Sequence, residues 1–250
     1  FRCASRILIK IGTFKAVSFE ELFQGTKALP WEEWIPVDGK FTVVGKSVKS
    51  TLYSVSDCQA IVKKAVVERL KGVYDVDWFD ETGAEYTIQV ALLKDIVTLT
   101  IDTSGSSLHK RGYRANALDA PLKETLAAAM IELSYWNKDR VLMDPFCGSG
   151  TIPIEAAMIA RNIAPGLNRH FASEKWDRVP EKLWKEERKK AYAAIDYDCM
   201  PEIYGSDIDP AAIELAKSNA ELAGVDDCIT FEVKPVQELE LYGEYGCLIT

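Results

Sequence analysis

The feature that most constrains this chain is an apolar strand that breaks into a glycine turn and then a helix: Val141-Leu142-Met143-Asp144, then Pro145-Phe146-Cys147-Gly148-Ser149-Gly150-Thr151, then Ile152 to Arg161. The same grammar recurs downstream. Ile203 to Asp207 reads as a strand, Ala211 to Ala223 as a helix, and Ile229 to Val233 and Cys247 to Thr250 as further strands. Strands alternating with helices predict an α/β fold with a doubly wound parallel sheet, helices on both faces. Ligands of such sheets bind beside the turn at the C-terminal end of a strand, so Asp144 to Thr151 is the first place to look for chemistry.

Gly148 and Gly150 let the backbone bend and approach a ligand where a side chain would intervene. Asp144, at the strand tip, can accept from an ammonium group, and the amides at the helix start suit a carboxylate. An amino-acid-bearing nucleoside satisfies both ends. The dinucleotide fingerprint would place a third glycine at position 153, which is Pro153 here, and no Gly-x-x-x-x-Gly-Lys-Ser/Thr run is present. The second strand ends in Gly205-Ser206-Asp207-Ile208-Asp209-Pro210, and Asp207 is placed to hold the hydroxyls of a ribose. Asp209 has two readings, a second ligand contact or the N-cap of the helix that Pro210 opens.

The first hundred residues have a different texture. Arg6 to Phe14 alternates as a strand, and Ser18-Phe19-Glu20-Glu21 is a capping box for a helix to about Ala28. Phe41 to Val48 is β-branched. Ser56-Asp57-Cys58-Gln59 forms a second box, opening a helix with Ile61, Ala65, Val66 and Leu70 on one face until Gly72. Tyr86 to Leu93 and Ile96 to Ile101 read as strands of a hairpin turning at Lys94-Asp95. Asp102 to Asp119 is polar and contains His109-Lys110-Arg111-Gly112-Tyr113-Arg114, and a helix is expected from Pro121 to Trp136 with Asp119 or Ala120 near its cap. Trp176 and Trp184 lie in a polar insertion whose Lys185-Glu186-Glu187-Arg188-Lys189-Lys190 predicts an extra helix with internal ion pairs. The expected division is 1–105, a basic linker at 106–120, and 121–250.

The net charge of −8 would disfavour a nucleic-acid partner if it were evenly spread. It is not: residues 1–114 carry 16 Lys/Arg against 14 Asp/Glu, whereas 115–250 carry 14 against 24. A basic surface in the first half therefore remains open, with Lys110, Arg111 and Arg114 as phosphate contacts and Tyr113 as a stacking ring, or else the cluster is a solvated linker. Lys40, Lys46, Lys49, Lys63 and Lys64 extend it on the same terms. Six cysteines without a C-x-x-C pair and only two histidines predict no disulfide framework, no metal centre and a reducing cytoplasm. No apolar run reaches the ~20 residues of a membrane span. Starting at Phe1 without a signal segment or initiator Met, the chain reads as part of a longer protein.

Three stretches together carry a family resemblance: Asp144 to Thr151 followed by Ile154-Glu155-Ala156-Ala157, then Asn162-Ile163-Ala164-Pro165-Gly166-Leu167-Asn168-Arg169, then Gly205 to Pro210. The chain resembles the bacterial THUMP-domain RNA methyltransferases, similar to the large-subunit rRNA guanine-N2 enzymes, whose members are often labelled N6-adenine-specific DNA methylases. Phe19 to Trp31 and Gly45 to Leu70 look like the family's THUMP region, and Lys110 to Arg114 like its interdomain segment. The resemblance implies a Rossmann-like class I methyltransferase domain binding S-adenosylmethionine, preceded by a smaller α/β THUMP-like domain that binds structured RNA. It places Asp144, Phe146, Gly148, Ser149, Gly150 and Thr151 along the cofactor, with Asp207 on the ribose and Asp209 beside it. It implies methyl transfer to an exocyclic base nitrogen, most simply guanine N2 of 23S rRNA. DNA adenine methylation and a non-catalytic RNA-binding scaffold are the alternatives. Two departures stand out. Pro235 occupies the place after the third strand where an acid often holds the adenine amine, and the family's Asn/Asp-Pro-Pro-Tyr motif would begin where the chain ends. No catalytic acceptor can be named within it, and little turnover is expected of these residues alone.

Overall fold

The computed structural model describes residues 1–114, 121–240 and 245–250. They divide into two compact units. One comprises Arg6–Ser106 with Phe171–Glu181, the other Phe1–Ser5, Ser107–His170 and Lys182–Thr250. The sequence reading drew each domain as one continuous stretch; both units are discontinuous, exchanging a short segment of chain.

The first unit contains β1 (Leu8–Lys15), α1 (Phe19–Lys27), β2 (Lys40–Val48), α2 (Val55–Tyr74), β3 (Glu85–Leu93) and β4 (Ile96–Asp102). Its sheet runs β1-β4-β3-β2, with β2 and β3 parallel and the other neighbours antiparallel. Alternation along β3 turns Tyr86, Ile88, Val90 and Leu92 inward, where Leu22 of α1 and Val62, Val66 and Leu70 of α2 join them. The hairpin closes at Lys94 and Asp95, both at positive φ (50° and 63°), as a tight two-residue turn requires. Asp95 is suited to that strain because its carboxylate accepts from Thr51 N–H at 2.6 Å and its own N–H donates to Ser50 Oγ at 3.0 Å.

Ser18 caps α1 as expected, accepting from Glu21 N–H at 3.3 Å, although Glu21 reaches back to Val17 N–H rather than to the cap. The second expected box does not form. Helix α2 starts at Val55 with Ser54 at the cap position and no side-chain bond there. Val55, inside the helix, lies over Gly45 of β2, where an added Cβ would come within 3.2 Å of it.

The segment 171–181 belongs to this first unit although it lies far beyond β4 in the chain. Trp176 is 2% exposed, stacks on Tyr86 with ring centroids 4.8 Å apart, and donates its indole N–H to Glu85 O at 3.1 Å. Nearby, Arg178 lies over the Trp34 ring at 4.3 Å and donates to the Glu33 carbonyl.

The second unit contains α3 (Glu124–Leu133), β5 (Val141–Asp144), α4 (Thr151–Ala160), α5 (Glu181–Ala193, its first residue grouped with the other unit), β6 (Ile203–Asp207), α6 (Pro210–Ala223), β7 (Ile229–Val233) and β8 (Gly246–Leu248). All pairs in its sheet, ordered β7-β6-β5-β8, are parallel. The chain leaves β5 toward β6 on one side, while β8 lies on the other, so the C-terminal end of β5 is a topological switch point. Leu142, Ile154, Ala156, Ala157 and Ala220 are fully buried where α4 and α6 meet this sheet. Helix α3 is shorter than Pro121 to Trp136: Asp119 and Ala120 lie outside the described residues, Lys123 takes the cap position, and Ser134 ends the helix by bonding Ile131 O and Trp136 N–H. Helix α5 buries none of its side chains and carries the expected ion pairs Lys182–Glu186 and Lys190–Glu187. Among the described residues no helix is long and apolar enough to cross a membrane.

Burial of an aromatic side chain of this size contributes about 3–5 kcal/mol relative to alanine. Trp176→Ala should therefore lower the unfolding free energy of the first unit by about that much, seen as a lower midpoint in urea titrations followed through tyrosine environment. An unchanged midpoint would show that the segment is not part of that core.

Candidate functional site

Strand β5 is buried at every position and delivers Asp144 to the switch point, where the loop Pro145 to Gly150 turns into α4. Gly148 (φ 52°) and Gly150 (φ 80°) occupy the left-handed region that glycine alone adopts without strain. They differ in surroundings. A Cβ on Gly150 would sit 3.0 Å from Ala216 Cβ and 3.1 Å from the Phe231 ring, so that glycine permits packing, whereas around Gly148 there is open space.

That space is a cavity of about 330 Å³, lined by Pro121, Leu122, Asp144, Phe146, Cys147, Gly148, Ser149, Thr151, Ile152 and Thr250. Its size falls in the ~300–1,000 Å³ range of small-molecule sites. Asp144, Phe146, Gly148, Ser149 and Thr151, all predicted cofactor residues, line it directly. Pro121, Leu122 and Thr250 were missed from sequence, since nothing local distinguishes two residues ahead of a helix, or a strand-end threonine, from ordinary boundaries.

Three tethers from separate elements hold the loop. Asp207, at the tip of β6, accepts from Gly148 N–H at 3.0 Å with one carboxylate oxygen and from Asp209 N–H at 3.0 Å with the other. Asn219 of α6 donates to Ser149 O at 3.0 Å. Arg114 donates to Thr151 Oγ1 at 2.5 Å. Helix α4 itself begins without a side-chain cap, at Gly150, and its third residue is Pro153, which has no N–H. The amides of Thr151 and Ile152 thus form an uncapped helix start beside the cavity, favourable to negative charge.

Asp144 is 3% exposed, and burial pushes its carboxyl up to about 7, against bonds from Phe146 N–H and the Thr250 side chain that favour ionisation. A cation brought to this carboxylate would restore its charge. Cys147 lies in the same loop, and burial drives its thiol pKa well above the ordinary range, so it stays neutral. Phe146 projects its ring into solvent at the cavity mouth.

Two sets of sequence expectations need correction. Asp209 is the N-cap of α6, its carboxylate accepting from Ala211 N–H at 2.9 Å, and of the predicted residues neither it nor Asp207 nor Gly150 lines the cavity. The basic cluster is an internal clasp. Arg111 is 3% exposed and paired with Glu155 of α4, with two guanidinium contacts at 3.2 Å, and it also donates to the Leu108 and Arg2 carbonyls. Tyr113, 1% exposed, donates its hydroxyl to Glu155 at 3.2 Å. Arg114 pairs with Glu124 at 3.4 Å besides reaching Thr151. Between them Gly112 (φ 104°) lies so close to the Asn168 carbonyl that a Cβ would meet it at 2.0 Å. Arg111 and Tyr113 are unavailable to phosphates and bases because a buried carboxylate needs them. Lys110 alone of the four has an exposed side chain. Among the described residues no group of His, Cys, Asp or Glu is arranged to hold a metal.

Comparison with known proteins agrees with this architecture. The family model for an RMKL-like methyltransferase domain matches residues 111–250, and that for a THUMP domain matches 16–102. The chain is 51% identical, over 99% of its length, to the "Putative RNA methyltransferase YpsC" of Bacillus subtilis, and 38% identical, over all of its length, to the "Ribosomal RNA large subunit methyltransferase K/L" of Psychromonas ingrahamii. It spans 65% of the first relative and 34% of the second. Among solved structures it superimposes with TM-score 0.95 and 54% identity, over 99% of this chain and 65% of the other, on one from Listeria monocytogenes named as a predicted N6-adenine-specific DNA methylase. It also matches SMU.472, described as a putative methyltransferase complexed with SAH, with TM-score 0.91 and 44% identity over 98% of this chain and 65% of that one. With the strand, glycine loop and helix of its second unit lying inside the matched span, the chain belongs to the RMKL-like methyltransferase-domain family and carries a THUMP domain ahead of that domain.

Proposed function

We propose that this chain binds S-adenosylmethionine in the cavity at the tip of β5 and serves methyl transfer to an exocyclic base nitrogen of structured RNA, specifically guanine N2 of large-subunit rRNA. The observation that carries the cofactor reading is the pairing of a buried carboxylate, Asp144, with an uncapped helix start across one cavity. An α-amino acid has the two complementary charges. Asp144 receives the ammonium, and the Thr151 and Ile152 amides face the carboxylate. Asp207 has lone pairs left after its two backbone bonds and remains the candidate for the ribose hydroxyls, since a carboxylate offers about four acceptor sites. Its first task is to hold Gly148.

When bound, S-adenosylmethionine supplies a methyl group on a positively charged sulfur. The chain's contribution is to hold that end of the site rigid and keep water from it, because in-line transfer depends mainly on placing two reactants. The RNA reading is supported by the THUMP match and by the names of the curated relatives. The DNA adenine alternative rests on the name given to one solved relative. Incubating the full-length protein with labelled cofactor, rRNA and duplex DNA side by side separates them: label in RNA, recovered as N2-methylguanine, is expected, and label in DNA alone would overturn the RNA reading. Lys110 remains the one candidate phosphate contact of the interdomain cluster.

Gly148→Val places a branched side chain in the cavity at a φ it disfavours, and calorimetry should show at least a hundredfold loss of cofactor affinity with the fold retained by circular dichroism. Unchanged affinity would remove the loop from the site. The Asp144 carboxyl, near 7 without ligand, must be ionised to accept the ammonium, whose own pKa is ~8. Affinity should therefore fall as pH drops from 7.5 to 5.5, by as much as about tenfold per unit below 7. A flat profile over that window would exclude Asp144 as the ammonium acceptor.

A further inference from the structure

Helix α4 is gripped along one face by residues Arg111 to Arg114 of the same unit. Arg114 reaches Thr151 and the pair Arg111 and Tyr113 reaches Glu155, and Thr151 and Glu155 are one turn apart, on the same side of the helix. The two grips have different chemistry. At Glu155 a buried carboxylate is met by a guanidinium fork and a phenol, a satisfied arrangement that holds the core together. At Thr151 the Arg114 guanidinium bonds a neutral hydroxyl that lines the cofactor cavity. It also pairs at 3.4 Å with one oxygen of Glu124, while Arg114 Nε and the other Glu124 oxygen are buried with no partner among the described residues.

Leaving buried donors and acceptors unpaired is costly, and a pair retained in that condition is poor evidence of a stabilising role. Its geometric effect is specific. Thr151 is the first residue of a helix that has no side-chain cap, and its hydroxyl is the only side-chain atom of the first turn with a tether among the described residues. A threonine hydroxyl at a helix start can otherwise rotate freely or bond locally to the backbone. With Arg114 donating, Thr151 Oγ1 is held as acceptor and its remaining proton is directed elsewhere.

We propose that Arg114 is a positioning residue for the cofactor: it fixes the rotamer of Thr151 and, through it, the first turn of α4 against the cavity. The inference rests on the cofactor reading given above. Glu124 holds the guanidinium in place by charge, and the Leu122 carbonyl accepts from it at 3.5 Å. Because Leu122 lines the cavity as well, one guanidinium aligns two walls of the same site.

The test is a double-mutant cycle in S-adenosylhomocysteine binding by calorimetry, with amide exchange of residues 148–152 measured on the ligand-free protein. A first turn left loose in the free protein must be ordered when ligand binds, a cost of up to about tenfold in affinity per side chain. Arg114→Ala and Thr151→Val should each weaken binding by about that factor. The double variant should be no worse than the weaker-binding of the two single ones, because the shared contact is lost only once. Arg114→Lys, keeping the charge and one donor, should recover part of the affinity, and serves if Arg114→Ala fails to fold. Faster exchange at the loop amides in Arg114→Ala is the signature that a merely structural role elsewhere would not give. Unchanged affinity in Arg114→Ala, full affinity in Arg114→Ala with Thr151→Val, or strictly additive losses would each overturn the proposal. If the unaltered protein binds no cofactor, the cofactor reading fails, and the exchange measurement still decides whether Arg114 orders the loop.

Discussion

A carboxylate with no solvent exposure in the middle of a helix governs the construction of the second unit. Glu155 sits on α4 between the cofactor loop and the helix end, where an isolated charge would be untenable. Burial pushes its carboxyl up, and Arg111 is the largest influence holding it down, followed by Arg2 and the Tyr113 hydroxyl. Meeting that charge draws in the segment after β4 and the first residues of the chain: Arg111 donates to the Arg2 carbonyl, and Arg2 in turn donates to Ile163 O at 2.8 Å. Both of these stretches belong to the second unit. Removing one partner would leave the other buried and unpaired, the costly case for an internal ion pair.

With α4 anchored at Glu155, its start can be left open. The helix has no cap of its own, and its loop is held by Asp207, Asn219 and Arg114 from three different elements. None of the three crowds Gly148, where an added Cβ would meet nothing within 4 Å. Rigid positioning and an open approach are otherwise in conflict, since the simplest way to stabilise a helix start is to fill it with a capping side chain. The Asn168 carbonyl against Gly112 belongs to the same construction, because the Asn162 to Arg169 stretch turns back to carry Arg169, which donates to the Ser107 and Lys110 carbonyls at 2.7 and 3.1 Å. That stretch serves the clasp and contributes nothing to the cofactor cavity.

Much of the site was readable from the chain because its determinants are local. A buried strand ending in aspartate, two glycines and an apolar helix specify a strand, turn and helix wherever they occur, and Pro153 excluded the dinucleotide geometry from within the same short stretch. The N-cap reading of Asp209 was also local and correct as one of two alternatives. The failures involve partners distant in sequence. Lys110 to Arg114 has the composition of a phosphate-binding patch, and only the presence of Glu155, forty-four residues from Arg111, draws Arg111 and Tyr113 into the core. Ser56 has the residue pattern of a cap but lies inside α2, which begins at Val55.

By itself, the sequence determined the alternation of strands and helices, the parallel sheet and the position of the glycine loop, because backbone periodicity and glycine conformations are encoded within a few residues. Only the tertiary structure decided which charges are exposed and which are consumed internally. It assigned Trp176 to the first unit, moved Arg111 and Tyr113 from surface to core, and gave Asp207 a backbone to hold. A charged side chain's role depends on whether water or an opposite charge meets it, and that is settled when distant parts of the chain come together.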